Sequence, residues 1–364
     1  MKISKIEATA HRFPLEFPLL DGVQGHRTVL FCRVETDTGL VGWGITGNFL
    51  MSSLLSAINT EFRDLLVGMD PRDSEAIHFA AWKKLNPRAM SGVFSNALSA
   101  IDIACWDIHG KHAGRTVAQL MGGCRDHAET YVTFGNLNYD DDALVECAKM
   151  HVKQGVTRLK MEVAYKMDWR RDAKRVRAVR DAIGPDVELM IDANYKFTPP
   201  EARYLCREIE DCNLAFFEEP LLQNDARQLA DLRRSTSIPL AAGQMEGHRW
   251  RFREFIDHQS VDYLQPNVLY NGGFTETRKI GHMAQAYNIS IENGAGWPIY
   301  NMHTMAGLMN GGWVECHAGT THVAKLAFID APTYKDNQIQ IPDIPGLGFE
   351  PNLNALAEYK VEIS

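Results

Sequence analysis

A parallel eight-stranded α/β barrel with a second, α+β domain is the fold this sequence predicts, and three observations carry it. First, Asp192 in Val187-Glu-Leu-Met-Ile-Asp-Ala-Asn194, Glu218 in Leu214-Ala-Phe-Phe-Glu-Glu-Pro220 and Gln244 in Pro239-Leu-Ala-Ala-Gly-Gln244 stand at 26-residue intervals, each at the end of an apolar run. Such an interval holds one strand, one helix and two short loops, and in a parallel barrel it carries all three side chains to one rim. Second, apolar runs at Tyr131–Asn136, Arg158–Val163, Tyr263–Val268, Asn288–Asn293 and Trp313–His317 keep the rhythm and bring the strands to eight. Third, 364 residues exceed the ~250 of a typical barrel by roughly a hundred, which must form something else.

The first of those parts is residues 1–125. Alternation in Leu30-Phe-Cys-Arg-Val-Glu-Thr-Asp-Thr-Gly39 predicts a hairpin strand ending in a turn, and Ser91 to His112 predicts a long apolar helix. These make an α+β capping domain. The barrel follows over 126–325, with helices in segments such as Trp169–Arg180 and Glu201–Ile209, where apolar residues recur at three and four positions between charges. The tail, 326–364, is broken by Pro332, Pro342, Pro345 and Pro351 and is expected to complete the capping domain. No Ser/Gly-rich linker separates the parts, so they should pack tightly.

Composition narrows the function. A net charge of −8 without a basic run argues against nucleic acid, and no apolar stretch reaches the eighteen or so residues that span a bilayer. The start, Met1-Lys-Ile-Ser-Lys, lacks a signal-peptide core. Seven scattered cysteines without a Cys-x-x-Cys pair suit reduced thiols and a cytoplasmic location. A small molecule is the expected ligand. Oxygen donors from Asp192, Glu218 and Gln244 on successive strand ends suit a hard cation such as magnesium, with Glu246 as the alternative to Gln244.

Five segments carry a family resemblance. Thr36-Asp-Thr-Gly-Leu-Val-Gly-Trp-Gly44 and Ala100-Ile-Asp-Ile-Ala-Cys-Trp-Asp107 in the first domain, then Ile191-Asp-Ala-Asn194, Glu218-Glu-Pro220 and Asn271-Gly-Gly273, resemble in order and spacing the mandelate racemase group of the enolase superfamily, which includes many acid-sugar dehydratases. The resemblance covers nearly the whole chain. It implies a (β/α)7β modified TIM barrel with a capping domain, a homo-oligomer, and a magnesium ion that binds a substrate carboxylate while a barrel residue removes the neighbouring proton to give an enediolate.

At the reacting positions the chain departs from that pattern. The second strand of this group carries Lys-x-Lys, whereas here it reads Lys160-Met-Glu162. The resemblance puts Asn293 and Asn267 where a histidine and its aspartate usually stand, and Gln244 in place of a metal-binding glutamate. Glu315 matches a position that hydrogen-bonds the substrate carboxylate. Lys160 and Glu162, two apart on a strand, point to one face. Glu162 can be the general base, an ion-pair partner of Lys160, or a metal-facing acid that compensates the charge lost at Gln244. Asn194 is expected to orient Asp192 or meet the substrate, and His26, in a glycine-containing loop, to contact it. His317 can face the site or the outer layer. The expected activity is a magnesium-dependent acid-sugar dehydratase. Its rivals are a cycloisomerase or lactone-opening enzyme, a racemase or epimerase, and a non-catalytic ligand-binding relative.

Overall fold

The computed structural model describes residues 1–47, 49–85, 92–136 and 138–363, without the side chain of Tyr165. The capping domain opens with three antiparallel strands, β1 (Ile3–Pro14), β2 (His26–Thr36) and β3 (Val41–Thr46), joined between β2 and β3 by the turn at 37–40. Leu30, Cys32 and Val34 of β2 point into a core shared with Leu98, Ile101 and Cys105 of the helix Val93–Ala113. Sheet and helix touch closely because β3 carries glycine: a Cβ on Gly44 would overlap the carbonyl of Ala100. The expected helix start, Ser91, lies outside the described residues.

Eight parallel strands form the barrel: β4 (His127–Phe134), β5 (Arg158–Glu162), β6 (Glu188–Asp192), β7 (Leu214–Glu218), β8 (Leu240–Ala242), β9 (Tyr263–Leu264), β10 (Ser290–Ile291) and β11 (Val314–His317). β11 pairs with β4. The seam between β10 and β11 is closed by backbone bonds from Gly312 to Ile291 at 2.8 Å and from Asn293 to Trp313 at 2.8 Å. Helices Asp141–Lys153, Trp169–Ile183, Pro199–Ile209, Ala226–Arg233, His248–Asp257, Gly273–Ala286 and Pro298–Gly307 follow the first seven strands, which is the (β/α)7β order. Their starts are written locally: Asp168 accepts from Arg170 and Arg171 N–H, while Thr198 and Glu201 form a capping box ahead of Pro199. Tyr131, Met190, Phe216 and Ala241 plug the barrel's interior below the rim.

The capping domain sits on the barrel through buried polar contacts. Thr46 Oγ1 donates to the Leu269 carbonyl at 2.7 Å, Trp106 Nε1 to Thr275 Oγ1 at 2.8 Å, and Thr275 Oγ1 to Asp102 at 2.6 Å. The tail serves both parts. Residues Gln338–Gln340 pair antiparallel with β4 on the barrel, and Lys360–Val361 add a fourth strand to the capping sheet beside β1. Among the described residues no helix is long and apolar enough to cross a membrane.

Candidate active site

A cavity of about 160 Å3 lies between the two domains at the C-terminal ends of the barrel strands. Its floor comes from Thr133 (β4), Glu162 (β5), Asp192 (β6), Asn194 and Gln244 just past β6 and β8, and Glu315 and His317 (β11). Arg27 and Phe49 of the capping domain line it too. Parallel register explains the convergence: Glu162 is paired with Asp192, and Asp192 with Glu218, so the acids stand side by side on three successive strands.

Lys160 lies beneath this floor, fully buried. Its Nζ donates to Glu218 Oε2 and sits 3.0 Å from Glu315 Oε1 and 3.5 Å from Asp192 Oδ2. Burial works against its charge, but Glu218, Glu315 and Asp192 outweigh that and hold the ammonium well above the ordinary lysine range. One cation faces three buried carboxylates. Burial and the surplus negative charge push Asp192 up and Glu218 well up, Lys160 notwithstanding. Glu315 moves the other way: burial would raise it, yet Lys160 and the hydroxyl of Thr133 bring it below the usual glutamate range.

Three observations test whether the predicted ligands suit a hard cation. Glu218 Oε1 is buried without a hydrogen-bond partner. Gln244 donates its Nε2 to Glu219 Oε2 at 2.8 Å, which commits the amide nitrogen and leaves Oε1 as the free end. A Cβ placed on Gly294 would lie 2.7 Å from Glu218 Oε1 and 3.2 Å from Gln244 Oε1, so a cradle bounded by oxygens opens where glycine stands. Two carboxylates and one amide oxygen are donors magnesium accepts. Among the described residues no three His, Cys, Asp or Glu side chains gather as a metal cluster; the third predicted donor is the Gln244 amide oxygen. Glu219, which fixes that amide and also accepts from Asn224 Nδ2 at 2.8 Å, is pushed up to about 7 by burial and by Asp192.

Asn194 lines the cavity, and its backbone N–H donates to Asp192 Oδ1 at 2.7 Å. It takes a left-handed conformation, φ 47°, which asparagine tolerates. Glu162 is partly open to the cavity, with Oε1 3.9 Å from His317 Nε2. It faces His317 and not Lys160, whose charge the deeper acids absorb.

Besides Lys160 and Glu218, which lie buried beneath the floor, three predicted residues are not brought into the cavity. Asn267 and Asn293 are fully buried, and both donate from Nδ2 to the carbonyl of Gly294 at 2.7 Å. Their oxygens accept from backbone: Asn267 from Leu269 N–H and Asn293 from Glu315 N–H. They hold the loop after β10 and lie outside the cavity lining. His26 is exposed, because β2 alternates and its neighbour Arg27 takes the inward position. Arg27, Phe49, Thr133, Met245 and Tyr270 are cavity residues that the motifs did not reveal; only strand alternation, with the register known, picks out Arg27.

A family model described as the enolase C-terminal domain-like region matches residues 142–355, and the mandelate racemase / muconate lactonizing enzyme N-terminal domain matches 5–122. The chain belongs to the mandelate racemase group of the enolase superfamily. It is 28% identical to the arabinonate dehydratase of Saccharolobus solfataricus over 91% of this chain and 90% of that one. The 3,6-anhydro-D-galactonate cycloisomerase of Zobellia galactanivorans superposes with a TM-score of 0.90 at 30% identity, covering 100% of both chains. A racemase from Streptomyces coelicolor A3(2), solved with bound magnesium, superposes at 0.91 with 26% identity over 99% of this chain and 100% of its own.

Proposed function

We propose that the protein is a magnesium-dependent lyase of acid sugars, which removes the proton beside the substrate carboxylate from one face and expels the β-hydroxyl. The observation that carries this reading is the one-sided placement of the proton acceptor. Glu162 lines the cavity with His317 beside it, whereas Asn267 and Asn293 bind the carbonyl of Gly294. A two-base racemisation needs a base on each face; an elimination needs only one.

Asp192, Glu218 and the Gln244 oxygen are the residues that would hold magnesium, and Asn194 and Glu219 keep Asp192 and Gln244 in place. When bound, the ion supplies positive charge beside the carboxylate as its neighbouring carbon becomes electron-rich. Lys160, kept cationic by its acids, adds charge from below and is not the base. Glu162 accepts the proton. Because a free carboxylate is a weak base, the enclosed cavity between the domains must favour the transfer by excluding water.

A second reading keeps the same chemistry with a ring oxygen as the leaving group. It is favoured by the cycloisomerase that matches along the entire chain. Incubation with a panel of open-chain acid sugars, lactones and 3,6-anhydro acids, with magnesium and with chelator, separates the two. Keto-acid formation from an open-chain acid, lost with chelator, supports the dehydratase. Product from cyclic substrates alone assigns the cycloisomerase, and racemisation without elimination overturns both. Magnesium should also raise the melting temperature of the wild type and not that of Asp192→Ala, because a ligand that binds only the folded state stabilises it.

A further inference from the structure

His317 ends β11 and caps the helix Ala318–Ala327, its Nδ1 accepting the backbone N–H of Gly319 at 3.1 Å. A backbone N–H can only donate. Nδ1 is therefore the lone-pair nitrogen, and the neutral ring carries its proton on Nε2. That nitrogen is the one 3.9 Å from Glu162 Oε1, with both side chains 19% exposed. The two residues also wall a small enclosed space behind the cavity, bounded by Phe17, Tyr139 and His151. An imidazolium would need a proton on Nδ1 as well, directed at the N–H of Gly319, so it would break the helix cap.

We propose that His317 is the positioning residue for Glu162: a neutral imidazole whose Nε2–H, 3.9 Å from one carboxylate oxygen here, closes on that oxygen when substrate binds and leaves the other to meet the substrate's proton. The inference rests on the reading of Glu162 as base. In the step it serves, Glu162 takes the hydrogen beside the substrate carboxylate and the C–H electron pair becomes the new C=C bond. The β C–O bond then breaks, and Glu162 returns the proton to the departing oxygen. Water leaves and the carboxylate is regenerated. His317 exchanges no proton; it sets the direction of the side chain that does.

Two substitutions separate the ring's two nitrogens. His317→Gln places an amide N–H near the position of Nε2, whereas His317→Asn can keep the helix cap through its oxygen but loses the donor to Glu162. With a substrate the wild type turns over, the Gln variant should keep kcat within about threefold, and the Asn variant should lose at least about tenfold in kcat with KM within about twofold. In protein labelled with 15N-histidine, the signal absent from His317→Gln should show a proton on Nε2 and none on Nδ1. That measurement needs no substrate. A proton on Nδ1, an Asn variant as fast as the wild type, or a Gln variant as slow as the Asn variant overturns the inference. If Glu162→Gln leaves hydrogen exchange intact while the spectrum shows Nε2–H, the reading of Glu162 has failed, and the positioning role falls with it.

Discussion

Lys160 and Glu162 leave the same strand on the same side, yet their surroundings give them opposite chemistry. Lys160 is enclosed by Glu218, Glu315 and Asp192, while Glu162 reaches the cavity and faces His317. In heavy water a true substrate should therefore exchange or lose the hydrogen beside its carboxylate, and Glu162→Gln should abolish this while leaving substrate affinity within about threefold. Retained exchange in that variant, followed by proton NMR, would remove Glu162 from the chemistry. Lys160→Met has a different expected outcome. It leaves three buried carboxylates without their cation, so the metal-free protein should lose about 3–5 kcal/mol, the usual cost of breaking a buried pair, read from urea unfolding. An unchanged midpoint would mean that the acids are neutral without Lys160. Much of this scale was legible in the sequence, since spacing marks Asp192, Glu218 and Gln244 as rim residues. What spacing cannot reveal is which way a side chain turns. His26 and Arg27 exchange places according to strand register, and two asparagines that occupy familiar positions prove to be tied to a backbone carbonyl.

Strands and loops set how close the oxygens can come. The loop after β10 passes so near Glu218 and Gln244 that only glycine fits at Gly294 without entering their cradle. Gly294→Ala should therefore abolish the magnesium-induced rise in melting temperature while the metal-free protein still unfolds cooperatively; a rise equal to the wild type's would place the ion elsewhere. At this scale the sequence was readable where elements are long and regular, as in the helices Trp169–Ile183 and Pro199–Ile209. It was less so at β9 and β10, two residues each, whose apolar runs extend beyond the paired segment because the residues around them are buried without being strand. β1 went unread as well. Its burial pattern is interrupted by a bulge between Ile3 and Lys5, which blurs the alternation a strand would otherwise announce.

Across the molecule, buried acids tie stability to pH. Glu292, fully enclosed near the β10–β11 seam, accepts from Trp313 N–H and Ser290 Oγ, and burial pushes it up to about 8 from an ordinary value of 4.5. A carboxyl raised on folding contributes stability that is fully present below its unfolded value and is lost as pH rises through the folded one. Glu292→Gln, which keeps the shape and cannot ionise, should thus gain melting temperature over the wild type as pH rises from about 5 to 8, and the gap should level off beyond. A gap that stays flat over that range would mean the seam tolerates the charge. The barrel and the capping domain were apparent from the sequence because each rests on repeated pattern; the tail's return to the capping domain was expected too, but its prolines hid the individual pairings, one of which runs along β4 of the barrel. One of those pairings bears on how the chain is made. Ala10 and His11 of β1 are matched with Val361 and Lys360, and His11 Nδ1 also meets the carbonyl of Leu356 at 2.7 Å. During synthesis the outer edge of β1 waits, bare, for a partner that leaves the ribosome only after the whole barrel has been translated. A nascent chain stalled before residue 360 should display that edge to chaperones or to another chain.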